Sequence, residues 1–290
     1  MPNPLIQSYD GHCSKWGEGP IWWKDALLYV DIAGQTINRL NCDSGEVHSW
    51  NVEEAVGCVV PTIQEKLAYA GASGFVIFDP ETNEKIQLGN PESDLSPANR
   101  FNDGKCDPLG RFWAGSISLI KEEGTANLYQ LDNSHEIHLK LEGLTNSNGI
   151  CWSLDHKIFY HIDTPTRRVC AFDFNLEKGT IKERRFVVDT EAEGFDSSPD
   201  GMTIDTDGNL WIAFCHGGCV ASFNPNNGKT LKKIELPCLE TTACTFGGSN
   251  LDRLFVTTGI HKDIQEPDAG KVFVIDGLGV KGLPAFPYRG

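Results

Sequence analysis

The stretch "NDGKCDPLGRFWAGSI", Asn102 to Ile117, reads as a turn, a short apolar strand, an Asp-containing turn and a second strand that carries aromatics. The same phrase returns as "NGICWSLDHKIFYHIDT" from Asn148 to Thr164 and as "DGMTIDTDGNLWIAFCH" from Asp200 to His216. Looser copies are "EGPIWWKDALLYVDI" from Glu18, "GCVVPTIQEKLAYAGAS" from Gly57 and "TACTFGGSNLDRLFVTTG" from Thr242. Each copy is followed by a further pair of strand-like runs, such as "TINRLNCDSGEVHSW" or "FVIFDPETNEKIQL", which makes four strands per unit.

Aligned copies start at Glu18, Gly57, Asn102, Asn148, Asp200 and Ala243, at intervals of 39, 45, 46, 52 and 43 residues. A four-stranded repeat of roughly 40 to 50 residues is the mark of a propeller blade. Six copies predict an all-β fold, a six-bladed β-propeller of four-stranded blades around a central channel, with residues 1–290 as one domain. A helical reading fails because the runs are short, rich in Val, Ile, Phe, Trp and Tyr, and broken by Gly, Asp and Asn. The segment Glu92 to Ala98 reads as a helical turn or loop. Ring closure is expected to join "PLIQSYD" at the N-terminus to "GKVFVIDGLGV" near the C-terminus, which leaves no open sheet edge.

Composition narrows the functional classes. The 290 residues are 40% hydrophobic and 22% charged, as in a globular protein with a large core. A net charge of −15 disfavours nucleic acid and anionic membrane surfaces, both of which need a positive footprint. No run approaches the roughly 20 apolar residues of a membrane span, and the N-terminal residues resemble no signal peptide. A cytoplasmic protein is expected, and nothing marks an obligate protein partner. The ten cysteines are scattered and read mostly as buried thiols rather than disulfides. "CHGGC", Cys215 to Cys219, lacks the four spaced ligands of a tetrahedral zinc site.

In a propeller the first strand of each blade lines the channel, so equivalent positions of different repeats converge there. At the turns leading into those strands the chain carries Glu18, Asn102, Asp103, Asn148 and Asp200, against Gly57 and Ala243 in the other two repeats. Asn and Asp are ordinary turn residues taken singly. Their recurrence points to hard oxygen donors gathered on the axis, suited to Ca²⁺, Mg²⁺ or Mn²⁺, with Zn²⁺ also admitted. Trp22, Trp23, Trp113, Trp152 and Trp211 fall at repeating strand positions and read as blade packing. His161 reads as a buried, hydrogen-bonded histidine, and Lys105 and Lys121 as solvated. No G-x-S-x-G elbow supports a serine hydrolase.

The segments "GEGPIWW", "NRFNDGKCDPLGRFWAGS", "NSNGICWSLDHKIFYHIDTPTRRVCAFDF", "SPDGMTIDTDGNLWIAF" and "PDAGKVFVIDGLGVKGLPAFPY" together resemble the family of regucalcin (senescence marker protein 30), gluconolactonase and luciferin-regenerating enzyme. The resemblance covers essentially the whole chain. It implies a six-bladed propeller that hydrolyses sugar lactones with one divalent cation in the axial channel, Ca²⁺ being the first choice. Carried onto this sequence, it makes Glu18, Asn148 and Asp200 the metal ligands, Asp200 also the general base, and Arg100 and Asn102 the substrate contacts. Asp103 and Gly104 then shape the turn.

One departure concerns the segment after "FWAGSI". Relatives carry a longer acidic lid there, whereas this chain has the short "SLIKEEGTANLY". A substrate-contacting glutamate of the family aligns near Ile120, with Glu122 and Glu123 as the adjacent carboxylates. The expected function is a gluconolactonase-like lactonase. The alternatives are a promiscuous esterase or organophosphate hydrolase using the same cation, and a calcium-binding propeller without catalysis.

Overall fold

The computed structural model describes residues 4–290 and arranges 24 strands in six antiparallel four-stranded sheets. The first strands of the six blades are Gly17–Trp23, Val56–Pro61, Asn99–Cys106, Ser147–Trp152, Ser198–Ile204 and Thr241–Gly247. Each packs against the first strand of the next blade in a closed ring, so these strands form the wall of the channel. They begin one to three residues before the sequence copies.

Burial falls from axis to rim and explains the residue types. Val56–Pro61 is buried at every position and is almost wholly apolar, as a strand covered on both faces must be. The last strand of blade 4, Thr180–Asp189, is largely exposed and carries "KERR". The middle strands hold the aromatic core. Trp113 and Trp211 are fully buried, and each indole N–H donates to an aspartate six residues earlier, Asp107 at 3.0 Å and Asp205 at 2.9 Å. The other oxygen of each aspartate accepts backbone N–H groups of the intervening turn, from Arg111 at 3.1 Å and from Asn209 at 2.8 Å. One carboxylate thus closes the turn and satisfies the buried indole, which an apolar core demands of any polar group. This is the physical content of the repeating "D-turn-W" phrase.

The ring closes as expected. Leu5–Tyr9 forms the outer strand of blade 6, with Leu5 opposite Asp276 and Tyr9 opposite Val272. Between Glu92 and Ala98 the only regular structure is the 3-10 turn Ser93–Leu95. The C-terminal segment then crosses the end of the channel where the first strands finish. Gly282 bridges to Asp205, Leu283 to Phe286 pack over Cys106, Trp152 and Ile204, and Tyr288 bridges to Thr62. Tyr288 is completely buried and its hydroxyl donates to the Asp132 carbonyl at 2.7 Å. One mouth is covered, and access is left to the end where the first strands start.

Candidate functional site

At that open end each first strand breaks its ladder. The pairing of first and second strands shifts register after Glu18, Val56, Phe101, Asn148, Pro199 and Thr241. A bulge inserts unpaired residues and re-aims their side chains. Glu18, Asn102, Asp103, Asn148 and Asp200 therefore lie inside strands at these bulges, not in the turns leading into them as expected. The reason is that the bulge imitates turn chemistry in the sequence while the ladder resumes on either side.

Small residues at the bulges are required by convergence. Gly149 has φ +25°, and a Cβ there would stand 2.6 Å from Ile162 and 2.9 Å from the Asp200 carbonyl of the next blade. At Gly57 a Cβ would run into the Phe101 and Asn102 carbonyls. At these two positions only glycine lets the neighbouring backbone approach.

A cavity of about 620 Å³ opens over the bulges and is lined by Glu18, Arg100, Asn102, Asn148 and Asp200. Asn102 is the hub. Its Nδ2 donates to Ser147 O at 3.0 Å, Asn146 Oδ1 at 3.2 Å and Asn148 Oδ1 at 3.4 Å, while its Oδ1 accepts Arg100 Nη1 at 3.1 Å. Arg100 Nη1 also donates to Phe101 O at 2.7 Å. Asn148 Nδ2 donates to Thr164 Oγ1 at 2.9 Å, and that hydroxyl donates to Pro199 O at 3.0 Å, next to Asp200. The amide oxygen of Asn148 is thereby fixed by neighbours in two blades. Asn146 and Thr164 escaped the sequence reading, although "NSNG" and "HIDTPT" flank the site strand directly.

The carboxylates are short of positive charge. Glu18, Asp103 and Asp200 are all buried. Burial, then the Asp103 charge, pushes Glu18 up to about 8, against a weaker pull from Gly19 N–H and Arg100. Burial, then Glu18 and Asp103, raises Asp200 well above its ordinary value. Asp200 Oδ1 is buried with no hydrogen-bond partner. Asp103 was read as a turn former, and its Oδ1 does accept Gly104 N–H at 2.7 Å. The bulge nevertheless places it in the channel as a third acid. Lys105 is not solvated as expected, since it faces the channel beside Asp103 and donates to Met202 O at 3.0 Å.

A divalent cation fits this donor set. Two carboxylates and a neutral amide are hard oxygen ligands, the Asp200 oxygen lacks a partner, and the pull of Arg100 and Lys105 on the three crowded acids does not offset their burial. Glu18, Asn148 and Asp200 are the residues that could hold it.

The short lid segment also reaches the cavity. Lys121 and Glu123 line the cavity, Glu122 does not, and Ile120 points to solvent at 65% exposure. His161 is buried as expected, and its Nε2 lies 2.8 Å from Ser147 Oγ. Burial pushes its pKa down to about 3 and keeps it neutral. Asp163 accepts the Thr145 and Asn146 N–H groups at 3.1 and 2.9 Å, holding the cavity's rim. Trp113, Trp152 and Trp211 are buried in blade cores.

The sequence matches the SMP-30/Gluconolactonase/LRE-like region over residues 16–260, and the chain belongs to that family. It is 38% identical to "Regucalcin" of Danio rerio over 283 residues, which cover 94% of this chain and 95% of the relative. A solved luciferin-regenerating enzyme superposes with a TM-score of 0.94 at 26% identity, over 99% of this chain and all of the other. A calcium-binding protein, regucalcin from Agrobacterium tumefaciens, shares the fold with a TM-score of 0.92 at 24% identity, over 99% and 98% of the two chains.

Proposed function

We propose that this propeller is a metal-dependent lactonase that opens sugar lactones, with Asp200 as general base. The observation that carries this reading is the unpartnered Asp200 Oδ1, buried beside Glu18 and Asn148 in the wall of a cavity large enough for a sugar ring. Family membership and the 38% identity to a regucalcin support it.

A divalent ion held by Glu18, Asn148 and Asp200 would polarise the lactone carbonyl as a Lewis acid and supply the charge that keeps these acids ionised. Ionised Asp200 takes a proton from water as its oxygen attacks the carbonyl carbon. The ring C–O bond then breaks, and the proton passes to the departing ring oxygen, giving the open hydroxy acid. Arg100 commits only Nη1 to protein acceptors among the described residues, so Nε and Nη2 remain to orient substrate oxygens. Asn102 holds both Arg100 and Asn148 in register. Lys121 and Glu123, which also line the cavity, offer a donor and an acceptor to ring hydroxyls.

The test is proton release from D-glucono-δ-lactone at constant pH, above the spontaneous rate, with chelator-stripped protein and Ca²⁺, Mn²⁺, Mg²⁺ or Zn²⁺ restored in turn. Turnover that returns with an ion supports the lactonase. Ion binding without turnover of any lactone in a broad panel would instead make the chain a calcium-binding propeller, and turnover confined to esters or phosphotriesters would move the substrate class.

A further inference from the structure

Blade 5 turns from its second to its third strand through "CHGGC", and that turn faces blade 6. Cys215 ends the strand Leu210–Cys215, His216 follows it, and Glu240 immediately precedes the strand Thr241–Gly247. Glu240 Oε1 lies 2.9 Å from His216 Nδ1, and Oε2 lies 3.2 Å from Cys215 Sγ. One ligand atom from each of the three falls within 4.8 Å of the others. The Glu240 side chain is only 1% exposed, and among the described residues no lysine or arginine pairs with it; the rings of His216 and His261 are what face it. The carboxylate is held by the Cys215 thiol, the His216 ring and the His216 N–H at 3.2 Å.

We propose that Cys215, His216 and Glu240 form a second metal site, of zinc type, at the rim of the cavity. A thiolate, an imidazole and a carboxylate suit a borderline ion, whereas the axial set is oxygen alone and suits a hard one. Cys215 and His216 both line the cavity, so a fourth, open position would face it. Binding exchanges the thiol proton for the cation, and the His216 ring proton moves to Nε2 to free Nδ1. His261 is not a fourth ligand. Its Nδ1 accepts Asp263 N–H at 3.1 Å, which leaves the ring proton on Nε2, facing Glu240 Oε1 at 3.7 Å, where it orients the carboxylate. Cys219, the other thiol of the motif, is buried in the blade core and takes no part. The third ligand comes from 24 residues along the chain, which a search for closely spaced pairs does not reach.

The test uses chelator-stripped full-length protein held in excess Ca²⁺ to fill the axial site, titrated with Co²⁺ alone. One equivalent should bind with a thiolate-to-cobalt charge-transfer absorption and tetrahedral visible bands, and Zn²⁺ should displace it. Cys215→Ser should abolish the charge-transfer band. His216→Ala, at a side chain 58% exposed and with its fold checked by circular dichroism, should weaken Co²⁺ by more than the roughly 10- to 100-fold that loss of an outer partner costs. Absence of a thiolate band in the unsubstituted protein, its survival in Cys215→Ser, or unchanged affinity in His216→Ala would each overturn the proposal. None of these readings depends on lactone turnover.

Discussion

The Asn102 side-chain amide donates to Asn148 Oδ1 at 3.4 Å, across the seam between the third and fourth blades. The same amide nitrogen reaches Ser147 O and Asn146 Oδ1, so three oxygens depend on one donor group. Asn102→Asp removes that donor and turns a negative charge toward all three. Unsatisfied or repelled buried groups cost about 1–3 kcal/mol, so Ca²⁺ affinity and 1/KM are expected to fall by roughly 10- to 100-fold. Calorimetric Ca²⁺ titration and lactone kinetics on the variant check this, and parallel Ca²⁺ affinities in the two proteins would refute the hub role.

Asp200→Asn keeps the shape of the side chain and removes its basicity. Turnover is expected to drop by about 10²- to 10⁴-fold, the usual worth of a positioned general base, with an unchanged circular dichroism spectrum. A kcat within about tenfold of the parent would assign the proton transfer elsewhere.

Stability without metal should fall as pH rises. Glu18 is pushed up to about 8 in the folded chain, from an ordinary 4.5, and Asp200 and Asp103 move in the same direction. The folded state therefore holds more protons than the unfolded state across that interval, and stability is lost as pH climbs through it. His161, pushed down to about 3, acts oppositely but only below its ordinary value of 6.5. Chelated protein should lose Tm between pH 6.5 and 8, and the Tm gain from Ca²⁺ should be larger at pH 8 than at pH 6.5. A Ca²⁺ gain independent of pH would separate the ion from these acids.

Gly149→Ala should destabilise the protein by about 1–3 kcal/mol, because alanine there meets both an unfavourable backbone conformation and Asp200's carbonyl. Gly143, at φ +74° with nothing near its missing Cβ, provides the comparison. Gly143→Ala bears only the conformational part. Urea denaturation of both should show the larger loss at Gly149, accompanied by weaker Ca²⁺ binding in that variant alone.

Much of the architecture was already written in local pattern. Short β-rich runs, Asp-containing turns before aromatic strands and glycine punctuation act over a few residues, so six blades and the Leu5–Tyr9 closure could be counted from the chain itself. Equivalent positions of the repeats also named Glu18, Asn102, Asn148 and Asp200 as neighbours, because a ring brings equal positions together.

What required the folded ring was the direction of each side chain and the company it keeps. Register shifts put the acids inside strands and turned Asp103 into the channel, and a bulge leaves the same Asn, Asp and Gly signature as a turn. The lid's Glu123 faces the cavity while Glu122 does not, a choice made by one step of backbone in a segment with no periodicity to read. Glu240 joins Cys215 and His216 only because blade 6 packs beside blade 5. Local propensity acts along the chain, whereas these contacts act across blade seams, where geometry depends on the closure of the whole ring.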